Sequence, residues 1–351
     1  MLNKDLVNYK FGDYQIDKLL WKKRSGFFYF GTNIKSKQKV IIKKIYPAIV
    51  KKYGSQLIDF IDANIDKALK IDHPNVGKIY GSVMEAQNLY IIAEFINGVS
   101  FEKKLARHGA IDPYLVAHVA KEIASAIYCG HQHSVLHMDV KPKNILLTYH
   151  EQIKLVEFGL SMPYDLEVFK DRILFGNLFY MSPEEISGSV EVNVQSDLYS
   201  LGATLFHLIT GQPPYKGTVN KILDQHLDAP VPNIFDYNPD IPVILADLIH
   251  SLLQKNPVDR PQNAKEVEDI LIPLLKEKEA KDLDAKKVPV DVENFLINNI
   301  LRSDEDRKFI QGSLTAFAGI YNKQDLPFQV KTIMSKSIIK EFVERYGELQ
   351  T

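Results

Sequence analysis

The stretch from His137 to Leu147 contains three side chains whose types and spacing could do chemistry. Asp139 is an acid, Lys141 follows it by two positions, and Asn144 follows it by five. A carboxylate can accept the proton of a hydroxyl group, a lysine can steady a phosphate, and an amide oxygen can help to hold a metal ion. The combination indicates a site for phosphate chemistry at a hydroxyl group.

The secondary structure predicted around these residues changes from strands in the first part of the chain to helices in the second. Alternating and β-branched residues predict three strands, at 27–34, 38–45 and 88–95. Helical spacing of apolar residues predicts five helices, over 55–71, 115–131, 196–210, 244–253 and 264–275. A strand-rich first part followed by a helix-rich second part is typical of an α+β protein with two lobes.

The same patterns divide the chain into four parts. We expect a β-rich lobe over 1–96 and a helical lobe over 97–276. The charged stretch 277–287 is typical of a linker or of the solvated end of a helix. Apolar stripes at helical spacing predict about three further helices in 288–351, which we expect to dock on the main body or on a partner.

Composition indicates a protein of the cell interior. The 351 residues are 45% hydrophobic and 25% charged, as in ordinary globular proteins. Cys129 is the single cysteine, so no disulfide can form within the chain. The sequence contains no apolar run long enough to span a membrane, and its start has no apolar core like that of a secretory signal. We therefore expect a cytoplasmic protein without a membrane partner.

Charge is distributed unevenly between the two lobes. Residues 1–96 carry 16 Lys and Arg against 9 Asp and Glu, a balance of +7, whereas the whole chain has a net charge of −1. A basic surface can attract nucleic acid, but these lysines do not interleave with aromatic residues as a base-stacking surface would. A lysine-rich solvated surface is the favoured interpretation, and nucleic acid is not an expected partner.

Nine segments between about residues 14 and 275 resemble, in order, the landmarks of the eukaryotic-type Ser/Thr protein kinase family. They are residues 20–28, 40–43, 73–76, 89–98, 137–147, 157–159, 182–184, 196–202 and 259–261. The pair Asp139 and Lys141 resembles the Ser/Thr type rather than the tyrosine type. The resemblance implies a bilobal kinase-like fold and a transferase that moves the γ-phosphate of ATP to a protein hydroxyl group.

The resemblance also implies a role for each matching residue. Asp139 would accept the hydroxyl proton, Lys141 would steady the γ-phosphate, and Lys43 would orient the α- and β-phosphates. Asn144 and Glu157 would hold Mg²⁺. The other residues implied to bind ATP are Gly26, Phe28, Ile41, Glu94, Ile96 and Leu146, with Ala93 as the gatekeeper.

Three further contacts are implied inside the second lobe. Asp197 would tie down the loop that carries the acid, and Arg260 would pair with Glu184. His137 and Phe158 would stack on each other. Because these contacts are architectural, they do not distinguish an active enzyme from an inactive relative.

Several positions depart from the family pattern around the nucleotide. Trp21 and Lys23 stand at the first two glycine positions of the phosphate-covering loop, which keeps only Gly26. Phe28 and Ile41 carry more carbon than the residues usual there, and added carbon in a packed cleft costs about 1–3 kcal/mol. We therefore expect a crowded adenine space.

Two departures concern charge. Asn64 stands where a helix of the first lobe usually supplies a glutamate to the strand lysine, and Glu157 stands where the metal-binding aspartate is usual. We hypothesise that the longer Glu157 side chain reaches Lys43 and supplies the missing counter-charge, either while it holds metal or instead of doing so.

Met138 replaces the arginine that, in this family, meets a phosphate on the activation segment. The hydroxyl-bearing residues between Glu157 and Glu184 are Ser161, Tyr164, Tyr180 and Ser182. Because the phosphate receptor is missing and targets are few, the sequence predicts no switching by phosphorylation of this segment.

Two functions remain open at this point. Retention of Lys43, Asp139, Lys141 and Asn144 favours a slow, constitutively active, ATP-dependent Ser/Thr protein kinase that acts on a protein substrate. The departures at the glycine loop, the adenine space and the metal site favour a pseudokinase that serves as a scaffold or regulator for a protein partner.

Overall fold

The computed structural model describes residues 6–23, 26–160, 178–188 and 191–286. Contacts divide the chain into a unit of residues 1–148 and 152–275 and a second unit of residues 149–151 and 276–351. The helices predicted within 288–351 lie outside the described residues, as do Ser161 and Tyr164. The sheet and the helices that surround the candidate site belong to the first unit.

The first lobe is built on a six-stranded antiparallel sheet. Its strands are β1 (Lys10–Phe11), β2 (Tyr14–Lys23), β3 (Gly26–Asn33), β4 (Lys39–Ile45), β5 (Ile79–Glu85) and β6 (Asn88–Glu94), in the order β1-β2-β3-β4-β6-β5. The three predicted strands are confirmed as β3, β4 and β6.

Side chains alternate between the two faces of this sheet, so one face packs into the core and the other faces the cavity. In β4, Val40 and Ile42 are fully buried in an apolar cluster that also contains Tyr29 and Tyr90. Residues 41 and 43 therefore point to the opposite face. Alternation thus separates the residues that hold the strands together from the residues that are free to face a ligand.

Helix α1 (Pro47–Ala68) packs against β5 and β6. It begins eight residues before the predicted start at residue 55, because Pro47 begins the first turn, where proline suits a helix. Gly54 interrupts it with non-helical dihedral angles (φ 55°, ψ −136°). The apolar stripe of Leu57, Ile61 and Ile65 is buried, as its spacing predicts.

The second lobe combines a small sheet with helices. The sheet contains β7 (Gly98–Ser100), β8 (Ile145–Thr148) and β9 (Ile153–Leu155). The helices are α2 (Phe101–His108), α3 (Pro113–Gln132), α4 (Pro183–Ser187), α5 (Val194–Thr210), α6 (Val219–Asp228), α7 (Val243–Leu252) and α8 (Ala264–Lys286). Helices α3, α5, α7 and α8 confirm predicted helices, and α8 continues through the charged stretch as far as Lys286.

Helix α5 is the buried centre of this lobe and contacts α3 and α7. Its Ser196 donates to Glu184 at 2.6 Å, and the Arg260 guanidinium donates to both Glu184 oxygens at 2.8 and 2.9 Å. The predicted ion pair is thus confirmed as a buried, two-pronged contact. Burial alone would raise the pKa of Glu184, but hydrogen bonding and charge from Arg260 hold it below its usual value.

Two histidines of this lobe predict a pH-dependent stability. Burial, aided by nearby lysines, lowers the pKa of His226 to about 3 and that of His207 to about 4. A histidine in the unfolded chain has a pKa near 6.5. Below that pH the unfolded chain therefore binds protons that the folded chain does not bind, and this stabilises the unfolded state. We expect the free energy of unfolding, measured in urea, to fall by about 1 kcal/mol per histidine between pH 6.5 and 5.5.

Single variants can assign the dependence of the free energy of unfolding on pH (the slope) to individual histidines. His207→Gln should remove about 1 kcal/mol of this decrease, whereas Ala106→Met, an exposed change on α2 that removes no titratable group, should leave the decrease unchanged. An identical slope in His207→Gln and the parent protein would contradict this assignment.

Candidate active site

A cavity of about 550 Å³ opens between the six-stranded sheet and the second lobe. Sites for small molecules typically have volumes of about 300–1,000 Å³. The predicted ATP-binding residues that line it are Phe28, Ile41, Lys43, Glu94, Ile96 and Leu146. Asn144 and Glu157, the predicted metal ligands, line the same cavity. Of the described site residues, Asp139, Lys141 and Gly26 stand outside this lining.

The roof of the cavity follows from the pairing of strands. Phe28 of β3 lies opposite Lys43 of β4, which in turn lies opposite Ile91 of β6. Ile41 lies opposite Ala93. Because directly paired residues point to the same face of a sheet, these five side chains form one ligand-facing surface.

The Phe28 ring in the roof of the cavity is held by two neighbouring side chains. The Phe28 ring stacks on Trp21, with centroids 5.5 Å apart and planes 20° apart, and the Lys43 ammonium lies 5.6 Å from its centroid. These two neighbours hold the ring in the roof, and both Phe28 and Ile41 line the cavity. The crowding of the adenine space stays a prediction.

Gly26 has a structural reason to be glycine. Strand β2 pairs with β3 up to Lys23 and Gly26, and a Cβ atom at Gly26 would collide with the carbonyl oxygen of Lys44 on β4. The residue also has a positive φ of 158°. Gly26 thus permits close approach of β3 and β4 at this end of the sheet.

The segment between the lobes is anchored through Glu94. Its backbone N–H donates to the carbonyl of Lys78 at 2.8 Å, and its carboxylate accepts from the N–H of Lys78 at 3.0 Å. Lys154 of β9 lies 3.6 Å from the same carboxylate. Glu94 is therefore held on the first lobe and by a residue of the second.

The predicted catalytic residues contact one another. The Asn144 amide donates to the backbone carbonyl of Asp139 at 2.9 Å and to its Oδ2 at 2.7 Å. The Lys141 ammonium lies 2.7 Å from Asp139 Oδ1. The carboxylate is thus fixed between a cation and an amide, which orients it. Because both Asn144 hydrogens are directed at Asp139, the amide oxygen faces another direction.

Asp197 of α5 holds the loop that carries the acid, as predicted. Its carboxylate accepts from the N–H groups of His137 at 2.8 Å and Met138 at 2.6 Å. His131 of α3 contacts the same carboxylate at 2.8 Å. Burial would raise the pKa of Asp197, but the hydrogen bond with His131 and the loop N–H groups lower it. Met138 reaches this geometry with a left-handed φ of 62°.

His137 connects this loop to the next one. Its ring meets Phe158 edge-on, with centroids 4.7 Å apart, which confirms the predicted stack. The N–H of Asp139 donates to Nδ1 at 3.2 Å, so Nε2 carries the hydrogen that points to the carbonyl of Val156 at 2.9 Å. Burial lowers the pKa of His137, which keeps the ring neutral.

The hypothesised contact between Lys43 and Glu157 is present. Lys43 Nζ lies 3.8 Å from Glu157 Oε2, and the two side chains are only 7% and 18% exposed. The Asn64 amide instead donates to the carbonyl of Phe60 within its own helix, at 2.9 Å. The structure thus brings Lys43 together with the loop that follows β9.

Two hydroxyl-bearing residues of the activation segment are already engaged. The Tyr180 hydroxyl bonds to His207 at 2.8 Å, and burial raises its pKa far above the usual value. Ser182 is fully buried and caps the start of α4 by accepting from the N–H of Glu185. Neither hydroxyl is presented for modification in this conformation.

Sequence reasoning missed some functional positions. His131 carries no signal of its own, since its partner Asp197 is 66 residues away. The other residues of the cavity wall that were missed are both apolar and polar, and they include Leu20, Gly77, Ile79, Val156, Ser100, Glu102, Lys103 and Lys143.

Comparisons with known proteins agree with this geometry. A family model described as protein kinase domain matches residues 14–271. The chain is 31% identical over 203 residues to the serine/threonine-protein kinase PrkC of Bacillus subtilis, which is 57% of this chain and 31% of PrkC. It is 32% identical over 192 residues to the serine/threonine-protein kinase PknE of Mycobacterium tuberculosis, which is 54% of this chain and 34% of PknE.

The fold is also similar to solved structures. The PknI kinase domain of Mycobacterium tuberculosis superposes with a TM-score of 0.61 at 22% identity, over 75% of this chain and 97% of that domain. The chain spans about a third of the length of the curated relatives it matches. None of its described helices has both the length and the apolar character that a bilayer span requires. The matched family model, which covers most of the sequence, shows that this chain belongs to the protein kinase family.

Proposed function

We propose that this protein is an ATP-dependent Ser/Thr protein kinase that transfers the γ-phosphate to a hydroxyl group of a protein substrate. One observation carries the proposal. The Asp139 carboxylate is held by Lys141 at 2.7 Å and by Asn144 at 2.7 Å, and Asn144 lines an open cavity of about 550 Å³. A scaffold does not require an oriented acid beside an open cavity.

In the proposed reaction the substrate hydroxyl oxygen forms a bond to the γ-phosphorus as the bond from that phosphorus to the bridging oxygen breaks, and ADP leaves. Asp139 accepts the hydroxyl proton, and Lys141 steadies the charge on the transferred group. Lys43 orients the α- and β-phosphates. Ile41, Ala93 and Leu146 supply apolar contacts above and below the adenine ring.

Asn144 and Glu157 fit a divalent cation. Both line the cavity, and the Asn144 hydrogens point to Asp139, which leaves the amide oxygen for a ligand. Mg²⁺ prefers a few protein oxygens together with phosphate oxygens and water, and when bound it neutralises phosphate charge. Glu157 also lies near Lys43, so its carboxylate has two competing partners. We therefore propose a slow enzyme.

The enzyme is proposed to be constitutive. Tyr180 and Ser182 are engaged in contacts that fix the segment before α4, and Met138 offers no cation for a phosphate. The engagement of these hydroxyls supports an activity that is not switched by phosphorylation of this segment.

The alternative function is a pseudokinase scaffold, and one observation favours it. The Lys43 ammonium sits beside Glu157 and the Phe28 ring, so charge and aromatic contacts satisfy it without any phosphate. In that case the lobes would present a surface to a protein partner and the cavity would not turn over ATP.

Thermal melting with ATP distinguishes the two functions. For the enzyme, we expect ATP with Mg²⁺ to stabilise the folded protein by about 2.7 kcal/mol at a hundredfold excess over Kd, with phosphate incorporated into a protein substrate. Ala93→Phe should remove the shift by filling the cavity, whereas Ala106→Met on the exposed face of α2 should keep it. No shift in the parent protein at millimolar ATP would contradict the enzymatic proposal.

A further inference from the structure

Lys43 is a buried cation whose counter-charge comes from Glu157, in the loop after β9. Its side chain is 7% exposed, and the Glu157 carboxylate lies 3.8 Å from its ammonium group. A buried charge is strongly unfavourable unless another charge or hydrogen bonds compensate it. In the family this sequence resembles, a glutamate on the helix of the first lobe gives that compensation.

Helix α1 does not direct its acids to this lysine. The Asp62 carboxylate accepts from the Ser82 hydroxyl at 2.6 Å, and Asp59 and Asp66 are exposed. Asn64, at the position expected for the glutamate, donates to the carbonyl of Phe60 at 2.9 Å. The acids of the helix are therefore engaged elsewhere or in solvent.

The helix is nevertheless packed against the segment that carries Glu157. A Cβ atom built on Gly159 would lie 3.3 Å from the Asn64 carbonyl oxygen and 3.4 Å from the Ala68 side chain. Gly159 has a positive φ of 66°, and Glu157 has one of 72°. The missing helix acid is thus not explained by a displaced helix, because α1 touches this segment directly.

We propose that Glu157 is a positioning residue that holds Lys43 in place of an acid from α1. The proposal deepens the proposed function, on which it rests, by assigning this site's ion pair to the loop after β9. One carbon–carbon bond, about 1.5 Å, separates the reach of glutamate from that of aspartate. In consequence, the counter-charge of Lys43 comes from the loop after β9 and not from α1.

The rate at which an amine-selective acylating reagent labels Lys43 tests this pairing in the protein without nucleotide or metal. Removing an opposite charge within about 4–6 Å favours the neutral, reactive form of a buried lysine by roughly tenfold or more. We expect Glu157→Gln, which keeps the side-chain shape, to accelerate labelling about tenfold at pH 8. Glu157→Asp, which retracts the carboxylate, should also accelerate it. Peptide mass spectrometry measures the labelled fraction.

Restoring an acid on the helix should reverse the effect. We expect Asn64→Glu combined with Glu157→Asp to bring labelling back to within about twofold of the parent rate. Asp62→Asn is the matched control, since this α1 acid bonds Ser82, and it should leave Lys43 labelling unchanged.

The outcomes separate this proposal from the proposed function. Parent-like labelling in both Glu157 variants would overturn the positioning role, whatever their phosphotransfer rates. Faster labelling in Asp62→Asn than in Glu157→Gln would assign the counter-charge to α1 instead. Failure of every protein to transfer phosphate would overturn the proposed function, while the labelling pattern would still decide the role of Glu157.

Discussion

Asp139→Asn is expected to lower the rate constant of phosphate transfer about 10²–10⁴-fold, the usual contribution of a positioned general base. Asparagine has nearly the same shape and still offers an oxygen to Asn144 or Lys141, but it cannot accept the hydroxyl proton. Because Asp139 is not among the residues lining the cavity in the described part of the chain, ATP affinity should change less than threefold. Single-turnover phosphate transfer and nucleotide binding measure the two effects separately.

Asp240→Asn is the matched control, since Asp240 is exposed in the loop before α7. It should leave transfer and binding unchanged. Full activity in Asp139→Asn would show that another group takes the proton. Equal losses of transfer and ATP affinity would indicate that Asp139 organises the site and is not a base.

Arg260→Ala should lower the free energy of unfolding by about 3–5 kcal/mol, because it leaves the Glu184 carboxylate charged and buried without its partner. The two terminal nitrogens of the guanidinium donate to that carboxylate at 2.8 and 2.9 Å, and further N–H groups of Arg260 donate to the backbone carbonyls of Gln254 and Lys255. Urea unfolding followed by circular dichroism measures the change.

The exposed Arg107 on α2 gives the control, and Arg107→Ala should alter stability by less than about 0.5 kcal/mol. The double variant Glu184→Gln with Arg260→Met should be more stable than Arg260→Ala, since no charge is left buried without a partner. A double variant as unstable as the single one would show that the lost packing of Arg260, and not the uncompensated charge, causes the effect.

Contacts within the motifs that resemble the kinase family were predictable because each motif fixes the spacing of residues and the chemistry of the partners. The Asp197 anchor, the Glu184–Arg260 pair and the Asp139 cluster all follow from segments that resemble a known family. The pairing of Lys43 with Glu157 followed from the resemblance together with charge, because the family's helix glutamate is replaced by Asn64 and the longer Glu157 is the acid within reach.

Other elements gave no readable pattern. Strand β2 (Tyr14–Lys23) was missed because irregular register between Ile16 and Lys18, and between Leu19 and Trp21, breaks its two-residue period. Helix α2 was missed because Phe101 is the only fully buried residue it contains among those described, so it shows no apolar stripe. The stacking of Phe28 on Trp21 was not predicted, because the direction of an aromatic ring depends on its three-dimensional neighbour.

Because the two faces of the main sheet carry different residues, substitutions can change the site and leave the fold intact. Val40 and Ile42 point into the aromatic cluster, while their immediate neighbours point toward the ligand. A change at Ile41 therefore alters the wall of the cavity without changing the side chains that pack the strand into the core. Substitutions on the cavity face of the strand can change the site while the residues on the core face maintain the fold.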